Sequence, residues 1–279
     1  MSILMDNIAF GEGPRWRRGH LWFSDIYSRQ VIKLSPSGSW ETILTLDDDQ
    51  PSGLGWLPND DLVIVSMQKR QILRFDGKSL FVHADLCQKA SCHCNDMVVD
   101  SLGRCYVGNF GFDLHNGAES SMAELIRVDQ DGSAHVMDES MNFPNGTVIT
   151  ADGKTLIVAE TFAGILTAFD IDAYGDLINR REWAKLPPDS IPDGICLDSN
   201  EGIWVASPSS NDCIRLLEGG EVTHRIEMDQ GAFACMIGDE KLYVCTSKSS
   251  DPSICTAERN ARIEVFPAPY PAAGCPSSG

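Results

Sequence analysis

Basic charge is scarce in this sequence. Against 40 Asp and Glu there are only 22 Lys and Arg, a formal net charge of −18. That balance argues against a protein that grips phosphate backbones, because such a grip rests on clustered cations. Long apolar runs are missing too, and no stretch approaches the length of a membrane span. The N-terminal MSILMDNIAFGEGP has no basic region, and Asp6 interrupts its short apolar run. No export signal is therefore expected, which assigns the chain to the cytoplasm. Several catalytic signatures are absent as well. There is no GxSxG elbow and no HExxH, and the GKS at 77–79 has no Gly at position 72 to make a phosphate-binding loop. DQDG at 129–132 starts like a calcium-binding EF-hand loop but puts Ala134 where glycine is obligatory, so it reads as a strand-connecting turn. Nucleic acid and membrane drop out as partners, and a small molecule remains.

What is present is repetition. A short apolar run, a polar turn and a second apolar run ending in small residues recur six times. The second runs are LWFSD (21–25), LVIVS (62–66), CYVGN (105–109), LIVAE (156–160), IWVAS (203–207) and LYVCT (242–246). They recur at intervals of roughly 40 to 50 residues, the length of four short strands. Each of the first five is followed by another apolar segment, such as QVIKLS or ELIRVD, and a turn. Alternation without a sustained helical period marks an all-β chain. Together these features predict a single six-bladed β-propeller over 1–279, with a small-residue, proline-rich tail from Pro267.

In a propeller the first strand of each unit lines the central channel, and its first residue sits at one mouth. Those starts are Glu12-Gly13, Ser52-Gly53, Asn95-Asp96, Asn145-Gly146, Asp193-Gly194 and Ala232-Phe233. Four of six carry Glu, Asn, Asn and Asp in one register, which radial repetition aims at one point on the axis. Any one of these dipeptides alone is better read as a turn. Four in register are poorly explained by chance. Two carboxylates and two amide oxygens form a hard, all-oxygen set, suited to Ca²⁺ first, with Mn²⁺, Mg²⁺ or Zn²⁺ as alternatives. The expected structure is thus a propeller with a metal site in the central channel.

Glu12-Gly-Pro, Asn95-Asp, Pro144-Asn-Gly146 and Pro192-Asp-Gly194, spaced through six repeats, make the chain resemble the senescence marker protein, regucalcin and gluconolactonase family of six-bladed propellers. The resemblance runs from Glu12 to the closing RIEVF at 262–266. It implies a divalent metal held by Glu12, Asn95, Asn145 and Asp193, and hydrolysis of lactones; more distant relatives cleave other esters or organophosphates. Asp193, whose second oxygen can face the cavity, is the expected group that activates water. Many members carry Arg two residues before the first Asn, where it helps to hold the substrate, and this chain has His93 there. The rival reading is a non-catalytic propeller that binds calcium or a metabolite, since fold and metal do not prove turnover.

The stretch SCHCND (91–96) looks at first like a soft-metal cluster. Along an extended strand, however, His93 and Asn95 share one face while Cys92 and Cys94 point to the other. Three adjacent residues cannot close a tetrahedral zinc site, and no second CxxC or His pair completes one with Cys87. The ten cysteines are expected as reduced thiols, with Cys105, Cys196, Cys213, Cys235 and Cys245 acting as small buried hydrophobes. Asp96, Asn109 and Glu160, near the ends of channel-side runs, are further candidates for contact with the substrate, alongside His93. The segment 112–125 is longer than a hairpin needs and is a candidate lid.

Overall fold

The computed structural model describes residues 2–276. Six four-stranded antiparallel sheets stand around a central channel as blades. Blades one to five span 11–45, 51–85, 94–141, 144–185 and 195–227, each with its strands in chain order from channel to rim. Blade six is composite. Its three inner strands come from 231–267, and its outermost strand is the N-terminal Ser2–Ile8, paired antiparallel with Ala261–Pro267. That pairing joins the two chain ends and closes the ring, leaving no blade incomplete. The strand Ser2–Ile8 is not legible in the repeat pattern, because SILMDNI has no counterpart at the other blade starts.

The tail is not loose packing material. Ala272 and Cys275 bridge to Asp198 and Ile149. Ile149 ends the inner strand Pro144–Ile149, near whose start Asn145 lies, so the tail ties blades four and five together at the far end of the channel from Asn145. Tyr270 lies over the guanidinium of Arg215 at 4.7 Å, and Arg215 makes a fully buried ion pair with Asp198 (2.6 Å). Among the described residues no helix is long and apolar enough to cross a membrane.

Two glycines show how closely the inner strands approach. Gly146, within its strand, and Gly194, just ahead of its own, lie beside Asn145 and Asp193, and neither holds a positive φ. A Cβ on Gly146 would lie 2.4 Å from Ile195 N of the next blade, and one on Gly194 would lie 2.6 Å from Ala234 Cα. The glycine in each motif therefore serves blade-to-blade contact around the channel, where a side chain has no room. All ten cysteines are free thiols, and the five in apolar runs are buried. Cys196 and Cys235 meet across blades five and six at 3.7 Å.

Candidate active site

The convergence of the four residues has a local cause. In five of the six blades the pairing between the innermost strand and its neighbour shifts register at the same place, after Glu12, Pro51, Cys94, Pro144 and Ala232. A bulge of this kind re-aims the side chain it carries. Glu12, Asn95 and Asn145 are borne on three of these irregular starts. Asp193 comes from blade five, just ahead of its three-residue inner strand, and is anchored through its N–H to Ala206 O (3.0 Å). All four line one cavity of about 310 Å³.

Hydrogen bonds orient both amides. Asn95 Nδ2 donates to Pro144 O and Asn145 Nδ2 to Thr161 Oγ1, both at 3.3 Å. Each Oδ1 is left as the uncommitted end. Glu12 Oε2 accepts the N–H of Gly13 (3.0 Å). Glu12 and Asp193 are each 8% exposed. Burial, then the neighbouring Asp193, holds the Glu12 carboxyl well above its usual range. Burial likewise pushes Asp193 up to about 8, tempered by a hydrogen bond from Asn145 and raised further by Asp96. Arg15 does little to relieve them, because its guanidinium is committed to Asp96, Leu54 O, Pro14 O and Met97 O. Two buried carboxylates without a cation of their own, facing two free amide oxygens, are the donor chemistry of a hard divalent cation. Among the described residues no three His, Cys, Asp or Glu gather as a metal cluster, so a cation site here needs both amides.

Of the other predicted contacts, His93 lines the same cavity, with its ring 5.9 Å from that of Phe110. Burial lowers its pKa and keeps the imidazole neutral. Cys94 packs in the blade core, and Cys92 is half-buried against it. Asp96, Asn109 and Glu160 do not line the cavity. Asp96 turns to Arg15, which donates to it at 2.6 Å, and sits as a buried ion pair between the inner strands. Asn109 bonds Glu124 O, Ser91 Oγ and Gly111 N. Glu160 accepts from Asn142 N (2.7 Å), Thr167 and Arg180. Asn109 and Glu160 end the second strands of their blades and hold the loops beside the inner strands, as Asp25 does for Ala9 N and Phe10 N in blade one. A buried polar side chain at such a corner satisfies loop N–H groups that would otherwise be unpaired.

What the sequence reading missed is the aromatic wall. Phe10 and Phe143 precede the Glu12 and Asn145 motifs, while Phe110 and Phe162 follow Asn109 and Thr161; all four line the cavity. The signal was present, since an aromatic flanks most of the channel motifs, as in FGE, NFG, NFPN and ETF. The 112–125 segment forms a single 3₁₀ turn, Leu114–Asn116, closed by Gly117 in the left-handed region. It brings Leu114 and His115 to the cavity wall.

Fold and site together define a six-bladed propeller with an oxygen-rich, carboxylate-bearing cavity at one mouth of its channel. The chain belongs to the SMP-30/Gluconolactonase/LRE-like region family, which it matches over residues 10–248. It is 26% identical to regucalcin of Gallus gallus over 255 residues, covering 88% of this chain and 85% of that one. A gluconolactonase structure from Xanthomonas campestris superposes with a TM-score of 0.78 at 24% identity, over 96% of this chain and 89% of that one. A calcium-binding regucalcin from Agrobacterium tumefaciens gives 0.79 at 20% identity, over 98% and 94%.

Proposed function

We propose that this chain hydrolyses lactones, with a divalent cation, Ca²⁺ first, held by Glu12, Asn95, Asn145 and Asp193. The observation that carries the reading is the convergence of two buried, cation-poor carboxylates and two free amide oxygens in one cavity. The names of relatives point the same way, one a gluconolactonase and another a calcium-binding protein. A cation bound there would polarise the ester carbonyl and offset the negative charge that develops on its oxygen. Asp193 accepts a proton from water, whose oxygen bonds to the carbonyl carbon. The ring C–O bond breaks and the proton ends on the released hydroxyl, giving an open hydroxy acid. Neutral His93 faces the same space without a protein hydrogen-bond partner among the described residues, and donates to the substrate.

The test is hydrolysis of a lactone panel by purified protein before and after chelation, with Ca²⁺, Mn²⁺, Mg²⁺ and Zn²⁺ added back singly. Chelation is expected to abolish turnover and one cation to restore it. Turnover that persists in protein shown metal-free by elemental analysis refutes the metal dependence. Cation binding with no turnover on any lactone leaves a calcium-binding propeller instead.

A further inference from the structure

Beside the four oxygen-bearing residues and a few polar neighbours such as Gln50 and Thr161, the cavity wall carries a group of phenyl rings. Phe110 and Phe143 stack with ring centroids 4.6 Å apart, and Phe162 meets Phe143 edge-on at 4.9 Å. Phe10 and Phe233 form a second edge-on pair at 4.8 Å. Leu114 joins the wall from the 3₁₀ turn. Neither Lys nor Arg lines the cavity among the described residues. We propose, building on the lactonase reading, that this cavity takes a cyclic ester with an alkyl or aryl substituent in preference to polyhydroxylated sugar lactones.

Three observations support this. Hydroxyls of a sugar ring set against the phenyl faces would lose water without gaining a hydrogen bond from them, which weakens binding. An apolar body gains instead, since Phe162 lines the cavity and is still 47% exposed. Phe143, at the centre of the stack, holds a backbone φ of 59°. A bulky residue there is strained, and such strain is kept where neighbours fix a side chain in place.

The experiment compares γ-phenyl-γ-butyrolactone with D-glucono-δ-lactone as substrates, and their non-hydrolysable lactams, 5-phenylpyrrolidin-2-one and D-gluconolactam, as ligands in calorimetry. The phenyl lactone is expected to have at least a tenfold higher kcat/KM, and its lactam at least a tenfold lower Kd. In Phe162→Ala the ratio of kcat/KM for the phenyl lactone to that for unsubstituted γ-butyrolactone should fall about three- to tenfold, the worth of one aromatic contact. A higher kcat/KM for the sugar lactone overturns the inference and leaves the lactonase reading standing. So does a ratio unmoved in Phe162→Ala. If neither lactone is hydrolysed but the lactams keep their tenfold preference, the lactonase reading fails and the selectivity stands. Equal binding of the two lactams, or none at millimolar concentration, overturns the selectivity.

Discussion

Chelated protein titrated with Ca²⁺ across pH 6–9 gives the sharpest test of the four-residue site, because the protons on Glu12 and Asp193 must leave when a cation arrives. In the cation-free protein burial holds Asp193 up to about 8 and Glu12 well above its usual range. At pH 6 Asp193 is therefore largely protonated, and binding one cation releases up to about one proton from it, with any proton held by Glu12 released as well. The logarithm of the Ca²⁺ affinity should rise by about one for each pH unit near pH 6 through Asp193 alone, more steeply where Glu12 also gives up a proton, with a shallower slope above pH 8. Stability follows the same linkage. Both pKa values are raised on folding, so the contribution of these two groups to the stability of the cation-free protein is full at low pH and is lost as pH climbs from about 4, where unfolded carboxylates ionise, through about 8 for Asp193. Ca²⁺ at one hundred times its Kd adds about 2.7 kcal/mol. For a chain of this size that is a rise of about 5 °C in Tm. Differential scanning calorimetry with EDTA or Ca²⁺ at each pH measures the stability change, and isothermal titration the affinity. An identical Tm in EDTA and in 10 mM Ca²⁺, or an affinity flat across pH 6–9, would show that these residues do not form a cation site.

Asp193→Asn keeps an oxygen ligand and removes the proton acceptor, so kcat on the best lactone should fall about 10²- to 10⁴-fold at saturating metal; steady-state kinetics with nearly full kcat would remove Asp193 from the chemistry. Gly146→Ala forces a methyl to within 2.4 Å of Ile195 N and should cost about 1–3 kcal/mol, a Tm lower by about 3–10 °C, with blades four and five spread apart. Glu160→Gln weakens the loop anchor at Asn142 N and Arg180, so Tm should fall while KM for the best lactone stays within about twofold. A large rise in KM without loss of Tm would return Glu160 to the substrate site.

The blade count, strand register and the cavity-lining quartet were legible because each rests on local alternation repeated six times. A period of two decides which face His93 and Asn95 share, and the same rule sends Cys94 into the core. Asp96, Asn109 and Glu160 were misplaced for a reason the pattern cannot contain. Their positions at strand ends are correct, but their orientation is set by partners far along the chain: Arg15 for Asp96, Glu124 for Asn109, Arg180 for Glu160. A carboxylate at a strand end is equally suited to a ligand and to a loop corner, and only the distant donor decides. The N-terminal strand Ser2–Ile8 was hidden for a similar reason, since its partner Ala261–Pro267 lies at the other end of the chain.

The motif dipeptides carry two constraints at once, and that explains why their bland reading as turns was attractive. Asn-Gly and Asp-Gly favour turns in isolation because glycine tolerates positive φ. Here Gly146 and Gly194 use no positive φ. Their lack of a Cβ lets the neighbouring blade's backbone reach them, which closes the ring tightly enough for side chains from different blades to share one cavity. The cavity-lining side chain and its small neighbour are thus parts of one device: with a larger residue in place of the glycine the blades stand further apart, and Asn145 and Asp193 no longer line a common cavity. It follows that Gly146→Ala should weaken Ca²⁺ affinity as well as stability, although Gly146 offers no ligand atom of its own to the cavity.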